Sequence, residues 1–233
     1  MKEKKLLIAL LFFQFFVAVA NAASSKSNCT TSLSSIVSGE LKSETGQTLK
    51  KAPLTDGALV VDTNFFVARE KISQKRAQAN DIRIVTRIKA LLQSGKVKSL
   101  FATKDTVKES TRGNSTIIPD GVRVTRTSLS RETPEYQDMV NEKLLKMEVG
   151  ELKFNSEMDR KIVADVLFAQ TENNVVPKFA TGDYGIIMPL CKMSLRCRFS
   201  KTKDEVLKNF SQGFEVQLTD LSGVVRKMVV LPL

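Results

Sequence analysis

Short apolar runs alternate with longer amphipathic stretches along the chain. Residues 58–61 are apolar on both faces, as in a strand buried in the middle of a parallel sheet. Residues 82–92 instead place apolar side chains mostly at helical spacing, and Ser94-Gly95 ends that stretch. Further strands are predicted at 99–103, 122–124 and 175–180, and further helices at 104–112, 135–147 and from Ser156 to Asn173-Asn174. This order predicts an α/β fold, a three-layer sandwich with a central, mainly parallel sheet.

The segments on either side of this pattern differ from it. Residues 23–56 are rich in Ser, Thr, Lys and Gly and lack a sustained apolar period, which predicts a flexible lead-in. After residue 190, a short helix at 204–210 precedes two strand-like runs, at 214–218 and 224–231. The turn between these runs predicts a C-terminal β-hairpin. We therefore expect a main domain at 57–190 and a helix-and-hairpin extension at 191–233.

The first 22 residues have the pattern of a secretory signal peptide. Three lysines within residues 2–5 precede a run at 6–19 that is apolar except at Gln14, and Ala20-Asn21-Ala22 is a typical cleavage signal. The run is shorter than the roughly 20 apolar residues that span a bilayer. The sequence thus predicts a periplasmic or secreted protein, with no stable membrane insertion after cleavage of residues 1–22.

The composition excludes many catalytic mechanisms because the chain of 233 residues contains no histidine. Ser-His-Asp triads, Cys-His pairs and HExxH zinc sites all need an imidazole. Catalysis would have to use carboxylates, lysines, hydroxyls or a hard metal ion. The formal charge is +11, and +9 without residues 1–22, so nucleic acid, anionic lipid and acidic glycan are eligible partners. A highly soluble protein without such a partner would have the same charge.

Three cysteines, Cys29, Cys191 and Cys197, allow one disulfide and one free thiol in an exported chain. Cys191 and Cys197 are close enough in sequence to pair with each other. Alternatively, Cys29 pairs with either of them and ties the lead-in to the domain. The sequence leaves these pairings open, while three scattered cysteines without histidine disfavour a zinc site.

Four acidic residues are predicted to meet at one edge of the sheet. Asp62 and Asp183 directly follow strand-like runs, where α/β sheets place residues that contact ligands. Glu109 lies in the helix after the 99–103 strand, and Asp159 opens the helix that leads back to the 175–180 strand. Clustered carboxylates repel one another unless a cation lies between them. Oxygen ligands without His or Cys favour Mg²⁺ or Mn²⁺.

The same acids stand in four short motifs that resemble those of the PIN-domain family of metal-dependent nucleases. The motifs are Val-Val-Asp-Thr-Asn at 60–64, Lys-Glu-Ser at 108–110, Asp-Arg-Lys-Ile-Val-Ala at 159–164 and Ala-Thr-Gly-Asp at 180–183. They occur in the family's order, within a match that covers about residues 58–190. The resemblance implies a compact α/β sandwich with a central parallel sheet, and single-strand-selective endoribonuclease activity as in many family members.

The third acid has two candidates. Asp165 also begins a run that resembles the family's motif, and its 18-residue distance from Asp183 is typical of compact members. Helical geometry favours Asp159, because Asp165 is rotated by about 120° from the stripe of Asp159 and lies about 9 Å further along the helix. Asp165 therefore stands as the substitute for Asp159.

Other polar residues of these motifs are suited to supporting roles. Hydroxyl and amide side chains near the acids can hold the carboxylates or bind a phosphate, and basic side chains beside Glu109 can receive the nucleic-acid backbone. The first group is Thr63, Asn64, Ser110 and Thr181, and the second is Lys104, Lys108 and Arg112. Caps, turns and a solvated basic face would use the same residue types.

Together these observations lead us to expect an exported, Mg²⁺- or Mn²⁺-dependent endoribonuclease acting on single-stranded or structured RNA. The alternation at 213–216 and 226–232 resembles the terminal hairpin of toxin modules delivered between bacteria. A toxin-type RNase would have an immunity or inhibitor protein as a partner, and a scavenging nuclease would not. The alternative is a non-catalytic PIN-like protein of the cell envelope that binds nucleic acid or another partner. The oligomeric state is left open.

Overall fold

The computed structural model of the protein describes residues 40–112, 115–140, 154, 156–219 and 223–233. The predicted signal peptide, Cys29 and the second half of the helix predicted at 135–147 lie outside the described residues. Within the described ranges, no helix combines the length and the apolar character needed to cross a membrane.

Seven strands form the main sheet, and helices connect them. The strands are β1 (Lys51–Ala52), β2 (Ala58–Val61), β3 (Ser99–Ala102), β6 (Arg123–Thr125), β7 (Lys178–Thr181), β8 (Phe214–Thr219) and β9 (Val225–Pro232), while β4 (Thr111–Arg112) and β5 (Ser115–Thr116) form a separate ribbon. The helices are α1 (Thr63–Ser73), α2 (Ala79–Gln93), α3 (Lys104–Glu109), α4 (Pro134–Val140), α5 (Glu157–Leu167), α6 (Tyr184–Met193) and α7 (Lys203–Asn209), with a 3₁₀ turn at Cys197–Phe199.

The sheet has the order β1-β6-β3-β2-β7-β9-β8. All neighbouring strands are parallel except β8 and β9, which pair antiparallel. This confirms the predicted α/β class with a mainly parallel sheet. Strand β9 lies beside β7, so the segment predicted as an extension contributes two strands to the main sheet.

Apolar side chains of the central strands alternate between two cores, one on each face of the sheet. Val60 packs with Phe101, Phe179 and helices α5 and α6 on one face, whereas Leu59 and Val61 pack with α1 and α2 on the other. Burial on both faces explains why residues 58–61 read as an unbroken apolar run.

The chain order reverses between β2 and β7. From β2 the chain crosses through α1 and α2 to β3 on one side, and from β6 it returns through α4 and α5 to β7 on the other. Ligands of open α/β sheets bind outside the carboxyl ends of the strands at such a reversal. Asp62 follows β2 at this point, and Asp183 follows β7.

Several elements were not indicated by the sequence pattern. The helix predicted at 104–112 ends at Glu109, and Thr111–Arg112 forms strand β4 instead. Strand β1 lies within the predicted lead-in, but pairing of Lys51 and Ala52 with β6 draws it into the sheet. Helix α1 has four of its five apolar side chains in one consecutive block, Phe65 to Ala68, instead of at helical spacing. Helix α6 is apolar on most sides and contains Pro189, so that its sequence shows neither the helical nor the strand spacing of apolar residues.

A disulfide joins Cys191 in α6 to Cys197 in the 3₁₀ turn. This is the first of the pairings that the sequence left open. The bond closes a loop that also contains Leu195, which is largely exposed.

Gly213 provides a test of the β8–β9 packing. Its φ is +102°, and a Cβ atom there would lie 2.8 Å from Leu231 Cδ2 and 2.9 Å from the Val230 carbonyl oxygen. Gly223, with φ +81°, has nothing within 4 Å of such a Cβ. We expect Gly223→Ala to cost about 1 kcal/mol of unfolding free energy from backbone strain alone, and Gly213→Ala to cost about 3 kcal/mol because overpacking is added. Urea unfolding measures both, and equal losses would contradict the packing.

Candidate functional site

The carboxylate of Asp62 is buried and held by three donors. Asp62 ends the buried strand β2 and caps helix α1, and its Oδ1 accepts a hydrogen bond from the Thr63 backbone N–H at 2.7 Å. Its Oδ2 accepts from the Asn64 side-chain amide at 3.0 Å and from the Thr181 hydroxyl at 2.8 Å. Thr63 holds this carboxylate through its backbone N–H, and Asn64 and Thr181 hold it through their side chains.

The Thr181 hydroxyl connects the two strand-end acids. Thr181 is the last residue of β7, and its Oγ1 both donates to Asp62 and accepts from the Asp183 backbone N–H at 3.0 Å. Asp183 in turn caps helix α6 by accepting from the Gly185 N–H at 2.6 Å. Both aspartates therefore occupy the N-cap position of the helix that follows their strand, where their orientation is fixed locally.

Glu109 and Asp159 reach the same edge from two helices. The Thr63 hydroxyl donates to the Glu109 carboxylate, which brings the C-terminal end of α3 to the residue beside Asp62. Asp159 forms a capping box with Ser156 at the start of α5, with both hydrogen bonds at 3.1 Å. Ser156 is the predicted N-cap of this helix.

The four acids influence one another electrostatically. Burial raises the pKa of Asp62 to about 6, against the lowering effect of its three hydrogen bonds, and Glu109 raises it further. Burial also raises the pKa of Asp159, and the charges of Asp183 and Glu109 add to this effect. No described lysine or arginine forms an ion pair with any of the four. The edge is therefore a cluster of acids without a neutralising cation from the described chain.

The residue types suit Mg²⁺ or Mn²⁺, but the carboxylates are not gathered around one point. Among the described residues, no three acidic or cysteine side chains are close enough as they stand to hold a metal ion. Each carboxylate instead accepts hydrogen bonds from neighbouring groups.

Asp165 lies in a different, buried cluster. It accepts a hydrogen bond from the Tyr136 hydroxyl at 2.7 Å and pairs with Arg131, which also lies 2.8 Å from Asp105. Burial raises the pKa of Asp165, and Arg131 opposes that shift. Asp159, in contrast, interacts with Glu109 and Asp183, so the geometry places Asp159 at the edge and Asp165 in the packing between α3 and α5.

The remaining predicted residues have no described contact with the four acids. Lys104 and Lys108 are exposed on α3, and Lys108 lies 3.9 Å from Asp105. The Ser110 hydroxyl is buried without a hydrogen-bond partner in the described structure, so it does not hold a carboxylate here. The backbone of Arg112 belongs to β4, while its side chain is not among the described ones.

Sequence reasoning missed two residues at this edge. Lys51 lies on β1, in the segment predicted as a lead-in, and no periodicity marks a two-residue strand. Tyr184 directly follows Asp183 and is exposed, whereas Tyr136 is buried. The adjacency of Tyr184 to Asp183 was the available signal for the second residue.

A scan against protein-family models and searches of curated proteins and of solved structures find no match for this chain. The resemblance to the PIN-domain family thus remains a hypothesis based on four short motifs. A function has to be inferred from the geometry of the edge itself.

The pKa of Asp62 predicts a pH-dependent stability in the metal-free protein. Because its folded-state pKa of about 6 exceeds the ordinary value of 3.8, the folded state binds more protons between these pH values. Stability should therefore fall as the pH rises from 4 to 7, by up to about 3 kcal/mol for a shift of about two units. An asparagine side chain cannot ionise, so we expect the unfolding free energy of Asp62→Asn to rise relative to that of the wild type as the pH increases from 4 to 7. Urea unfolding in EDTA measures both. A pH-independent difference would contradict the buried carboxyl.

The Arg131 cluster predicts a large structural effect. Arg131→Ala leaves the buried carboxylates of Asp105 and Asp165 without their cation, and we expect it to cost about 3–5 kcal/mol of unfolding free energy. The matched control is Arg69→Ala, which removes an exposed pair with Glu44 at 2.9 Å and should cost less than about 1 kcal/mol. Thermal and urea unfolding of both variants would show the difference, and similar losses would refute the assignment.

Proposed function

We propose that the protein is an exported, PIN-like metal-dependent nuclease that hydrolyses phosphodiester bonds of single-stranded RNA. The observation that carries this proposal is the group of four acids at the strand reversal, which has no neutralising lysine or arginine among the described residues. Unpaired acids that raise one another's pKa destabilise a fold. A bound cation would remove that cost and supply a reason for the arrangement.

The roles of the residues follow from their positions. Asp62, Glu109, Asp159 and Asp183 would hold Mg²⁺ or Mn²⁺, which when bound activates a water and stabilises charge on the phosphate oxygens. Thr63, Asn64 and Thr181 hold the Asp62 carboxylate in place at the strand reversal. Their hydrogen bonds also favour its ionised form, which is the form that binds a cation.

The fold and the charge distribution support the same proposal. The central parallel sheet with helices on both faces agrees with the architecture that the PIN resemblance implies. The antiparallel pair of β8 and β9 agrees with the hairpin of the toxin-like resemblance. Exposed Lys104 and Lys108 on α3 lie on the helix that carries Glu109, where they would attract a phosphate backbone.

The signal-peptide pattern of residues 1–22 makes export part of the proposal. An exported RNase needs RNA outside the cell or entry into another cell. A toxin would be accompanied by an immunity protein, and a scavenging enzyme would act alone. Both versions use the same site.

A non-catalytic protein that binds nucleic acid is the second candidate. It is favoured by one observation, namely that the four carboxylates stay hydrogen-bonded to the chain and do not surround a common point in the described structure. Such a protein would bind RNA with the same affinity in metal and in EDTA, and would leave it intact.

Cleavage of single-stranded RNA by residues 23–233 tests the proposal. We expect cleavage with Mn²⁺ or Mg²⁺ and none with EDTA. Asp62→Asn, Asp183→Asn and Asp159→Asn should each reduce the rate by about a hundredfold or more, since even residues behind metal ligands cost up to about a hundredfold. Gel analysis of a labelled RNA measures the rate.

Asp165→Asn is the matched control, because it changes an aspartate of the same helix that faces Arg131. It should lower stability but leave the rate per folded molecule within a few-fold of the wild type. Cleavage in EDTA, or full activity of Asp62→Asn and Asp183→Asn, would overturn the nuclease proposal. Loss of activity in Asp165→Asn alone would reverse the choice of the third acid.

A further inference from the structure

The register of the sheet places Lys51 in the same row as the residue before Asp62. Lys51 is opposite Val124, and Val124 is opposite Ala102. On the next strand pair, Phe101 is opposite Val60, and Ala102 directly follows Phe101. Val61 therefore continues this row, and Ala180 of β7 follows it. The five strands are parallel, so their carboxyl ends lie along one edge in the order β1, β6, β3, β2, β7.

Basic side chains occupy the β1 side of this edge. Val124, Ala102 and Val61 all face the core under α1 and α2, and side chains of one row in a parallel sheet share a face. Lys51 consequently points to that face, and Lys104 begins α3 two residues beyond Ala102 of the same row. Burial lowers the pKa of Lys104, the charges of Lys108, Arg131 and Lys51 lower it further, and Asp105 opposes them. Lys51 and Lys104 are therefore close enough to interact.

The Asp105 charge acts on Lys104 but forms no ion pair with it in the described structure. Neither Lys51 nor Lys104 forms an ion pair with a described residue, although both are exposed. Arg131 is engaged by Asp105 and Asp165, and Lys108 lies near Asp105. Like charges held together without a partner repel one another, and a phosphate group between them would relieve that repulsion.

An exposed aromatic ring lies at the opposite end of the same edge. Tyr184 is the first residue of α6, directly after Asp183, and 40% of its surface is exposed. The other tyrosine, Tyr136, is only 1% exposed. With strands about 4.8 Å apart, Tyr184 lies four spacings, or about 19 Å, from Lys51 across the sheet edge. Asp62 follows β2, which lies between β1 and β7, and Asp183 directly precedes Tyr184.

We infer that single-stranded nucleic acid lies along this edge, with a phosphate held by Lys51 and Lys104 and a base stacked on Tyr184. The inference rests on the proposed function, because it orients the substrate of that site across the four acids. Stacking on an aromatic side chain requires a base face that is not covered by a neighbouring base. A duplex would not offer such a face in its interior, so the arrangement selects single strands.

The two anchors make different contributions to binding. A lysine–phosphate contact releases a counterion, whereas a stacked base is nearly independent of salt. The salt dependence of affinity therefore separates them.

Fluorescence anisotropy of a labelled oligouridylate tests the inference, with residues 23–233 in EDTA so that no cleavage occurs. Tyr184→Ala should weaken binding by about tenfold or more, with an unchanged slope of log Kd on log salt concentration, and Tyr184→Phe should bind like the wild type. Lys51→Ala should lower that slope by about 0.7, the value for one phosphate contact on a single strand.

Matched controls lie far from this edge. Phe199, which is 73% exposed, follows the C-terminal end of α6 and lies near the opposite edge, since that helix runs back by about 15 Å over its ten residues. Lys96 is exposed and precedes β3, at the amino end of the strands. Phe199→Ala and Lys96→Ala should both bind like the wild type.

The outcomes separate this inference from the nuclease proposal. If Tyr184→Ala and Lys51→Ala match their controls while the wild type cleaves RNA, the nuclease proposal stands and the orientation is wrong. If both variants behave as expected but no metal supports cleavage, the binding site stands and the nuclease is replaced by a binder. If the wild type does not bind the oligouridylate, or binds duplex RNA equally well, the inference is overturned.

Discussion

The hydrogen bond from Thr181 to Asp62 connects the ends of two parallel strands at the strand reversal. Its donor is the last residue of β7, its acceptor is the first residue after β2, and the same hydroxyl receives the N–H of Asp183. A valine at position 181 would fill the same space but would leave a buried carboxylate and an amide without this contact. The hydroxyl thus adds a side-chain connection between the two strand-borne acids to the backbone pairing of β2 with β7.

Some carboxylates of this protein pair with a basic side chain, and others do not. Asp105 and Asp165 share Arg131, and their side chains fix α3 against α5. The four acids at the edge have no such partner among the described residues, although α3 carries two exposed lysines. This contrast between the paired structural acids and the unpaired acids at the strand reversal is what supports the proposed cation site.

Most central elements could be predicted from the sequence, because burial on one or both faces leaves a readable period. This was true of β2, β3, α2 and the N-cap at Ser156. The spacing of apolar residues gives no signal where an element is very short, as in β1, or apolar on most sides, as in α6. For the site, strand ends and spacing indicated the acids, but the Arg131 cluster depends on contacts between distant residues, which no local pattern encodes.

The four acids differ in how firmly the chain holds them. Asp62 and Asp183 stand at the ends of strands packed between two cores, and their carboxylates are aligned by backbone N–H groups. Glu109 is exposed at the end of a six-residue helix, and Asp159 is held by one serine. Half of the site is thus preorganised and half is adjustable, so that the conformational entropy lost on binding an ion would fall mainly on the two helix-borne side chains.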